Sequence, residues 1–507
     1  MDTLIAPAET LSYTYDGALP KSATWGGEIN GAVSVEYNND LQVTSQSINK
    51  TNILNFQYDQ DGLLTQVGDM SITREQKTGR ISSTTLGNVT TNQSYNTLGE
   101  LAGYQANYNS NPIFQTSYTR DSLGRITTLN ETVQGQNKVM RYGYDIMGRL
   151  VQVWRNDTLT SVYTYDSNGN RIAHITPTSA DSGMYDAQDR MLTYGNTKYF
   201  YSKNGELQKK IEDADTTCYT YDYFANLITV ILPNKDRIDY IIDAKNRRIG
   251  EKINGTITKR WIYSGQLSPI AELDSVGNVV AQFVGNYIIK GGNIYQLITD
   301  HLGSVRLVVN VATGTVAQKL DYDEFGNVMC NSNPDFQPFG YAHGIYDTQT
   351  RLVRFGARDY EASIGRWTAK DAILFAGGET NLYSYASNDP INIIDLYGLF
   401  VNIPFVNGTI EKRLIASAKE KGVELSADAA EGLRQEMTMD ELGVLGKDKL
   451  ADEEANKKLD EEKATVLDNI KDRILKDEDD DYSPEVKEEL KKVSEQLKAK
   501  SDTCKVK

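Results

Sequence analysis

The stretch "YTYDSNGNRI", residues 163–172, decides the fold. Aromatic residues lead into an Asp, two residues follow, and then a Gly. Alone it reads as one hairpin, but the chain writes it repeatedly. The pattern of aromatic, Asp, two residues, Gly, one residue, apolar recurs as "YDQDGLL" (58–64), "YNTLGEL" (95–101), "TRDSLGRI" (119–126), "YDIMGRL" (144–150) and "YDSNGNRI" (165–172). Degraded copies come next as "YDAQDRM" (185–191), "YSKNGEL" (201–207), "YDYFANL" (221–227) and "IDAKNRRI" (242–249). Cleaner copies return as "LDSVGNV" (273–279), "TDHLGSV" (299–305) and "YDEFGNV" (322–328). From Asp121 to Asp243 the copies lie mostly 20 to 25 residues apart, with one step of 16.

The physical content of the repeat is a turn between two strands. Asp at the first turn position can accept backbone amides two residues on. Gly at the fourth position takes positive φ, as a three-residue hairpin with a bulge requires. In "SVYTYD" (161–166) alternation places Tyr163 and Tyr165 on one face, Val162 and Thr164 on the other. One hairpin cannot bury a face by itself, whereas a row of them can. The expectation is one continuous sheet built hairpin by hairpin. A propeller, with blades of roughly 40–50 residues, fits the shorter spacing poorly.

Composition agrees. The chain has 507 residues with 31 Tyr against 12 Phe and 4 Trp, and Tyr suits half-buried strands. Mean hydropathy is −0.49. A net charge of −16 argues against a nucleic-acid surface as the main partner. Three Cys (Cys218, Cys330, Cys504) and three His (His174, His301, His343) are too scattered to staple the chain or hold a metal, and no cofactor is expected. No apolar run of about 18 residues exists to span a membrane. The start, "MDTLIAPAET", lacks a basic region followed by an apolar one, so export is expected by a route without a Sec signal, from a cytoplasmic pool, or the chain is a fragment of a longer one. Composition breaks near Leu399. Thirty of the 31 Tyr precede it, and residues 400–507 carry 20 basic and 27 acidic residues, which reads as charged helices.

The repeat resembles the YD repeat of the Rhs family, which includes polymorphic toxins, toxin-complex C components and, more distantly, teneurins. The specific match runs from Tyr295 to Leu399, through "YQLITDHLGSVRLVVNVATGTVAQKLDYDEFGNV", "PFGYAHGIYDTQTRLVRFGARDYEASIGRWTAKD" and "GGETNLYSYASNDPINIIDLYGL". It covers about residues 11–399. The resemblance implies a mainly β fold, a YD-repeat sheet spiralling into a hollow shell or half shell, followed here by a small α-helical C-terminal segment. It implies three regions: a shell at 1–290, an Rhs repeat-associated core at 291–399 that plugs one end, and a variable segment at 400–507. In the family the chain cleaves itself after a DPxGL signature. Here the signature reads "DLYGL" (395–399), with Leu396 in place of Pro, so the scissile bond is expected at Leu399–Phe400.

Peptide hydrolysis by carboxylates needs two of them close together, sharing a proton. Asp371, Asp389 and Asp395 all lie near the boundary. The resemblance places the pair at Asp371 and Asp395. Asp389, before Pro390, reads as a turn residue that could support the site, and Arg366 as a possible partner of Asp371. Arg358 and Arg366 could tune carboxylate charge, although ion pairing is the simpler reading. Trp367, His301 and His343 read as structural. No Ser/His/Asp order, P-loop, HExxH or paired CxxC is present.

Beyond the boundary, "TMDE" (438–441) is a capping box and "SPE" (483–485) a helix start. Val486, Leu490, Val493 and Leu497 form one apolar stripe; Leu467, Ile470 and Ile474 form another. The leading expectation is a toxin carrier whose shell encloses residues 400–507 as cargo. Expected partners are that segment, a second shell-forming chain, a secretion-system component and a cognate immunity protein. The competing readings are a cell-surface carbohydrate-binding adhesion protein and a silent Rhs fragment.

Overall fold

The computed structural model describes residues 2–6, 9–377 and 379–399. The helices expected in 400–507 lie outside the described residues. Thirty-three strands, from Asp2–Ala6 to Val328–Asn331, form one sheet. Each pairs antiparallel with the next in the chain, so the sheet is a single meander. It runs unbroken through residue 290, where Tyr287–Lys290 pairs with Asn293–Thr299.

The turn at Asp166 shows why the repeat makes this structure. Asp166 Oδ1 accepts the amides of Asn168 and Asn170, each at 2.9 Å, and Oδ2 accepts Asn170 Nδ2 at 3.0 Å. One carboxylate thus satisfies two backbone donors and the fifth turn side chain. Gly169 sits at φ 79°, and the register slips between Thr164 and Tyr165, which is the expected bulge. Three of the degraded copies keep the geometry without glycine: Asp189, Ala225 and Asn246 occupy the fourth position at φ 59°, 60° and 60°. The repeat tyrosine has a task of its own. Tyr165 donates its hydroxyl to Leu150 O at 2.9 Å, and Leu150 is the residue that comes just after the preceding turn. Tyr58, Tyr144, Tyr185 and Tyr263 do the same to Val43, Ile126, Arg171 and Arg248. Each of these tyrosines thereby fastens its repeat to the one before it.

The sheet coils. Trp25 Nε1 donates to Asp243, 218 residues away; Asn49 Nδ2 donates to Gly277 O, 228 away; Tyr287 donates to Val67 O, 220 away. One lap of the wall therefore takes roughly this length of chain. The separation then shrinks to 175 residues for Arg306–Glu131 and 161 for Tyr163–Glu324. A short piece of the second lap faces a long arc of the first, so the second lap has left the wall and turned inward. The largest apolar cluster joins three parts of the chain. Trp25 and Ile29 come from the first lap, Trp261 and Ile262 from the second, and Tyr360, Trp367 and Tyr385 from the segment after the sheet.

That segment, residues 332–399, forms a plug against the wall. It contains a small four-stranded sheet of Ile345–Tyr346, Leu352–Phe355, Arg358–Glu361 and Arg366–Trp367. The plug seats on the hairpin turns of the wall. Arg366 donates to Asn170 Oδ1 at 2.9 Å, Arg354 to Asn226 Oδ1 at 2.9 Å, and Asn388 to Gly169 O at 2.9 Å. Arg248 reaches Asp359 at 2.8 Å, with both side chains buried.

Candidate active site at the end of the plug

The hairpin of Leu352–Phe355 and Arg358–Glu361 receives the chain at its last described turn. Ala357 N donates to Tyr397 O at 2.8 Å. This approach is possible because residues 356 and 398 are glycines. A Cβ on Gly356 would lie 2.3 Å from Tyr397 O, and one on Gly398, at φ 64°, would lie 2.5 Å from Phe355 O. Both are closer than any side chain tolerates.

Arg358 begins the second strand of that hairpin and organises everything near it. One of its nitrogens, Nη2, lies 2.7 Å from Asp371 Oδ2 and 3.2 Å from Asp395 Oδ2. Its Nε donates to Gly398 O at 2.5 Å and its Nη1 to Leu382 O at 3.1 Å. The guanidinium lies over the buried Trp367 ring, 4.2 Å from its centroid. The other oxygen of Asp395, Oδ1, accepts the amide of Leu399 at 3.1 Å. Asp371 Oδ1 accepts the amide of Ile373 at 2.9 Å. Two carboxylates distant in sequence thus share one guanidinium nitrogen, and one of them holds the backbone of Leu399.

The electrostatics separate these groups. Burial pushes the Asp371 carboxyl above the usual carboxylate range, against the pull of Arg358. Burial also raises Glu379, which accepts from the hydroxyls of Ser384 and Ser387 and feels the same guanidinium. Arg358 itself is held below its ordinary value by burial, while Asp371 and Asp395 work to keep it charged.

Other sequence-derived candidates stand elsewhere. Arg366 donates to Asn170 and to Asp189 O and stacks on Tyr185 and Tyr383, so it braces the plug against the wall and does not serve the pair. Arg358, read from sequence as an ion-pairing residue, is the one beside Asp371. Asp389 binds Asn392 through both oxygens, at 2.8 and 2.9 Å, and burial raises its pKa to about 7. Leu396 packs its side chain against the main core. Phe400 lies outside the described residues. His301 Nε2 donates to Ile391 O at 2.7 Å, and His343 stacks on Phe339 at 4.2 Å. Sequence reasoning missed the fifth turn position. Asn170 and Asn226 occupy it and hold the plug, and the change from "GRI" to "GNRI" and "ANLI" along the repeats is the signal that could have shown it.

Comparison with known proteins bears on the whole wall and plug. The Teneurin YD-shell family model matches residues 7–391. Teneurin-3 of Danio rerio is 26% identical over 406 residues, covering 73% of this chain and 14% of the relative. Teneurin-1 of Mus musculus is 25% identical over 396 residues, again 73% of this chain and 14% of the relative. The chain therefore spans about one seventh of the length of these relatives. Among solved structures, the TcdB2–TccC3–Cdc42 crystal structure superposes with a TM-score of 0.60 at 17% identity, covering 81% of this chain and 24% of that one. The Tc holotoxin pore of Photorhabdus luminescens superposes at 0.59 and 16%, covering 78% and 23%. At these identities the structural likeness concerns the fold. No helix among the described residues is long and apolar enough to cross a membrane.

Proposed function

The chain belongs to the Teneurin YD-shell family, and from that premise we propose that it is a self-processing carrier: its shell wall and plug enclose residues 400–507, and the Asp371–Asp395 pair cuts the Leu399–Phe400 bond. The observation that carries this reading is the single Arg358 nitrogen shared by both carboxylates, with Asp395 also on the Leu399 amide. Asp395 accepts a proton from a water that attacks the Leu399 carbonyl carbon. Asp371, whose carboxyl burial shifts toward holding a proton, gives that proton to the carbonyl oxygen. The tetrahedral intermediate collapses: Asp395 gives the proton it took from water to the Phe400 nitrogen as the C–N bond breaks, and the hydroxyl formed from the carbonyl returns its proton to Asp371. Arg358 donates to both Asp395 and Gly398 O, so the strand enters the site in one register. Glycines 356 and 398 admit it.

A second shell-forming chain, a secretion-system component and an immunity protein are the partners this reading calls for, with export independent of a Sec signal. The alternative, a cell-surface carbohydrate-binding protein that uses the sheet alone, draws on the teneurin relatives. It gives the buried Asp–Arg–Asp arrangement at Leu399 no task.

Denaturing electrophoresis with intact mass tests the proposal on the purified chain beside Asp371→Asn and Asp395→Asn. Two fragments meeting at Leu399–Phe400 in the parent, and one uncut chain in each variant, are expected. Cleavage should also slow as pH rises beyond the raised Asp371 value, because the acid is then deprotonated. An uncut parent chain would remove the carrier reading.

A further inference from the structure

A cavity of about 260 Å3 lies between the wall and the plug loop 335–349. Cross-strand pairing puts its wall residues on one face: Tyr240 opposite Glu251, Glu251 opposite Lys259, and Trp261 opposite Glu272. Asp347 faces them from the plug, where Tyr240 donates to its Oδ2 and the amides of Gln349 and Thr350 to its Oδ1.

Glu251 is the unusual member. It is 7% exposed, and its Oε1 accepts the Thr258 hydroxyl at 2.9 Å. No hydrogen bond from a described residue reaches its Oε2, although the side chain lines the cavity. Two cations stand nearby, Arg248 and Lys259. Arg248 is paired with Asp359 and lies 3.5 Å from the Tyr240 ring centroid. Lys259 leans toward Glu272, at 3.8 Å, and stops short of a hydrogen bond. The cavity therefore carries an excess of carboxylate, with Glu251, Glu272, Asp335 and Asp347 on its lining. Among the described residues no three carboxylates converge as metal ligation requires. The chemistry favours an N–H-donating cation with an aliphatic stem, which Trp261 and Tyr346 can flank.

We propose that this cavity binds an alkylammonium group, with Glu251 Oε2 as its acceptor. Two sources share that chemistry: a free linear polyamine, or a lysine side chain from residues 400–507.

Calorimetric titration of the full chain with spermidine tests it, with Glu251→Gln and a magnesium chloride titration in parallel. One saturable site is expected, weakened at least tenfold in Glu251→Gln and not reproduced by magnesium. Glutamine keeps the shape and the Thr258 contact, and thermal melting confirms that the variant folds. Apparent affinity should rise between pH 6 and 8. Burial and the neighbouring Asp347 push the Glu251 pKa to about 7, with Arg248, Lys259 and the Thr258 hydroxyl opposing them, and the ligand must displace that proton. Carbodiimide coupling and peptide mapping separate the sources. A Glu251 link to a lysine of 400–507 assigns the chain's own side chain, and coupling of added spermidine at Glu251 assigns the free amine. Absence of both saturable binding and coupling at Glu251 overturns the proposal. So does binding equal in Glu251→Gln or with magnesium.

Discussion

At the residue scale, the candidate site depends on close backbone approach as much as on its carboxylates. Gly398→Ala keeps Asp371, Asp395 and Arg358 but drives a Cβ toward Phe355 O and forces a left-handed backbone on alanine. Its expected effect is at least a tenfold slower cleavage with the wall intact, read by a time course of intact mass beside far-ultraviolet dichroism. Asp389 makes a different prediction. Its folded pKa, about 7, exceeds the value of about 4 for a free aspartate, so the folded state holds one more proton between those values. Stability from this group is complete below about pH 4 and is lost as pH rises through 7. Asp389→Asn should raise the melting temperature at pH 8 relative to the parent and change it little at pH 4; a uniform shift at both pH values would contradict this. Legibility in the sequence differs by residue. Asp371 and Asp395 were picked out by resemblance alone, and the signature that begins at Asp395 departs from the family pattern at Leu396. The choice of Arg358 over Arg366 was not legible, since both are arginines in short strands and only the fold decides which one faces the pair.

At the element scale, the repeat is a set of hydrogen bonds that needs only a side-chain oxygen, of Asp, Asn96 or Ser202, and one residue at positive φ. That is why degraded copies still make the same turn, and why their cost falls at one position. Ala225 holds φ 60°, where Gly stands in the cleaner copies. Ala225→Gly should therefore stabilise the protein by about 1 kcal/mol, since an L-residue in the left-handed region costs roughly 1–2 kcal/mol. Denaturant titration checks it, and an unchanged or lower midpoint would show that the wall relaxes around Ala225 without strain. The Asp, the Gly and the strand alternation were legible in "YTYDSNGNRI" because they act within one hairpin. The tyrosine's second task was not, because its acceptor, Leu150, lies a whole repeat away. The docking role of Asn170 stayed hidden for the same reason: Arg366 comes from 196 residues further on.

At the scale of the whole molecule, a meander fixes each strand's neighbours but says nothing of how the ribbon coils. That information lives in contacts between laps, apolar and polar, which are buried and far apart in sequence. Arg306, on the second lap, donates to both oxygens of Glu131 on the first, at 2.5 and 3.0 Å, and to Asp321 at 2.8 Å. Glu131 is 1% exposed, so removing its partner leaves a buried charge. Loops of this length close at an entropic cost before their contacts form, so the inward turn is expected late in folding. Arg306→Leu should lower stability by about 3–5 kcal/mol, the usual consequence of breaking a buried pair from one side. The double variant Arg306→Leu with Glu131→Leu should recover most of the loss, because neither charge then remains buried. Hydrogen exchange distinguishes a local defect from a global one. If the laps lock each other, amides in Ile126–Val133 and Val305–Asn310 gain exchange together in the single variant and lose it together in the double. Faster exchange confined to Val305–Asn310 would mean that the inner lap can loosen alone, and the coil would then be held by the plug and the apolar core rather than by the ion pairs between its turns.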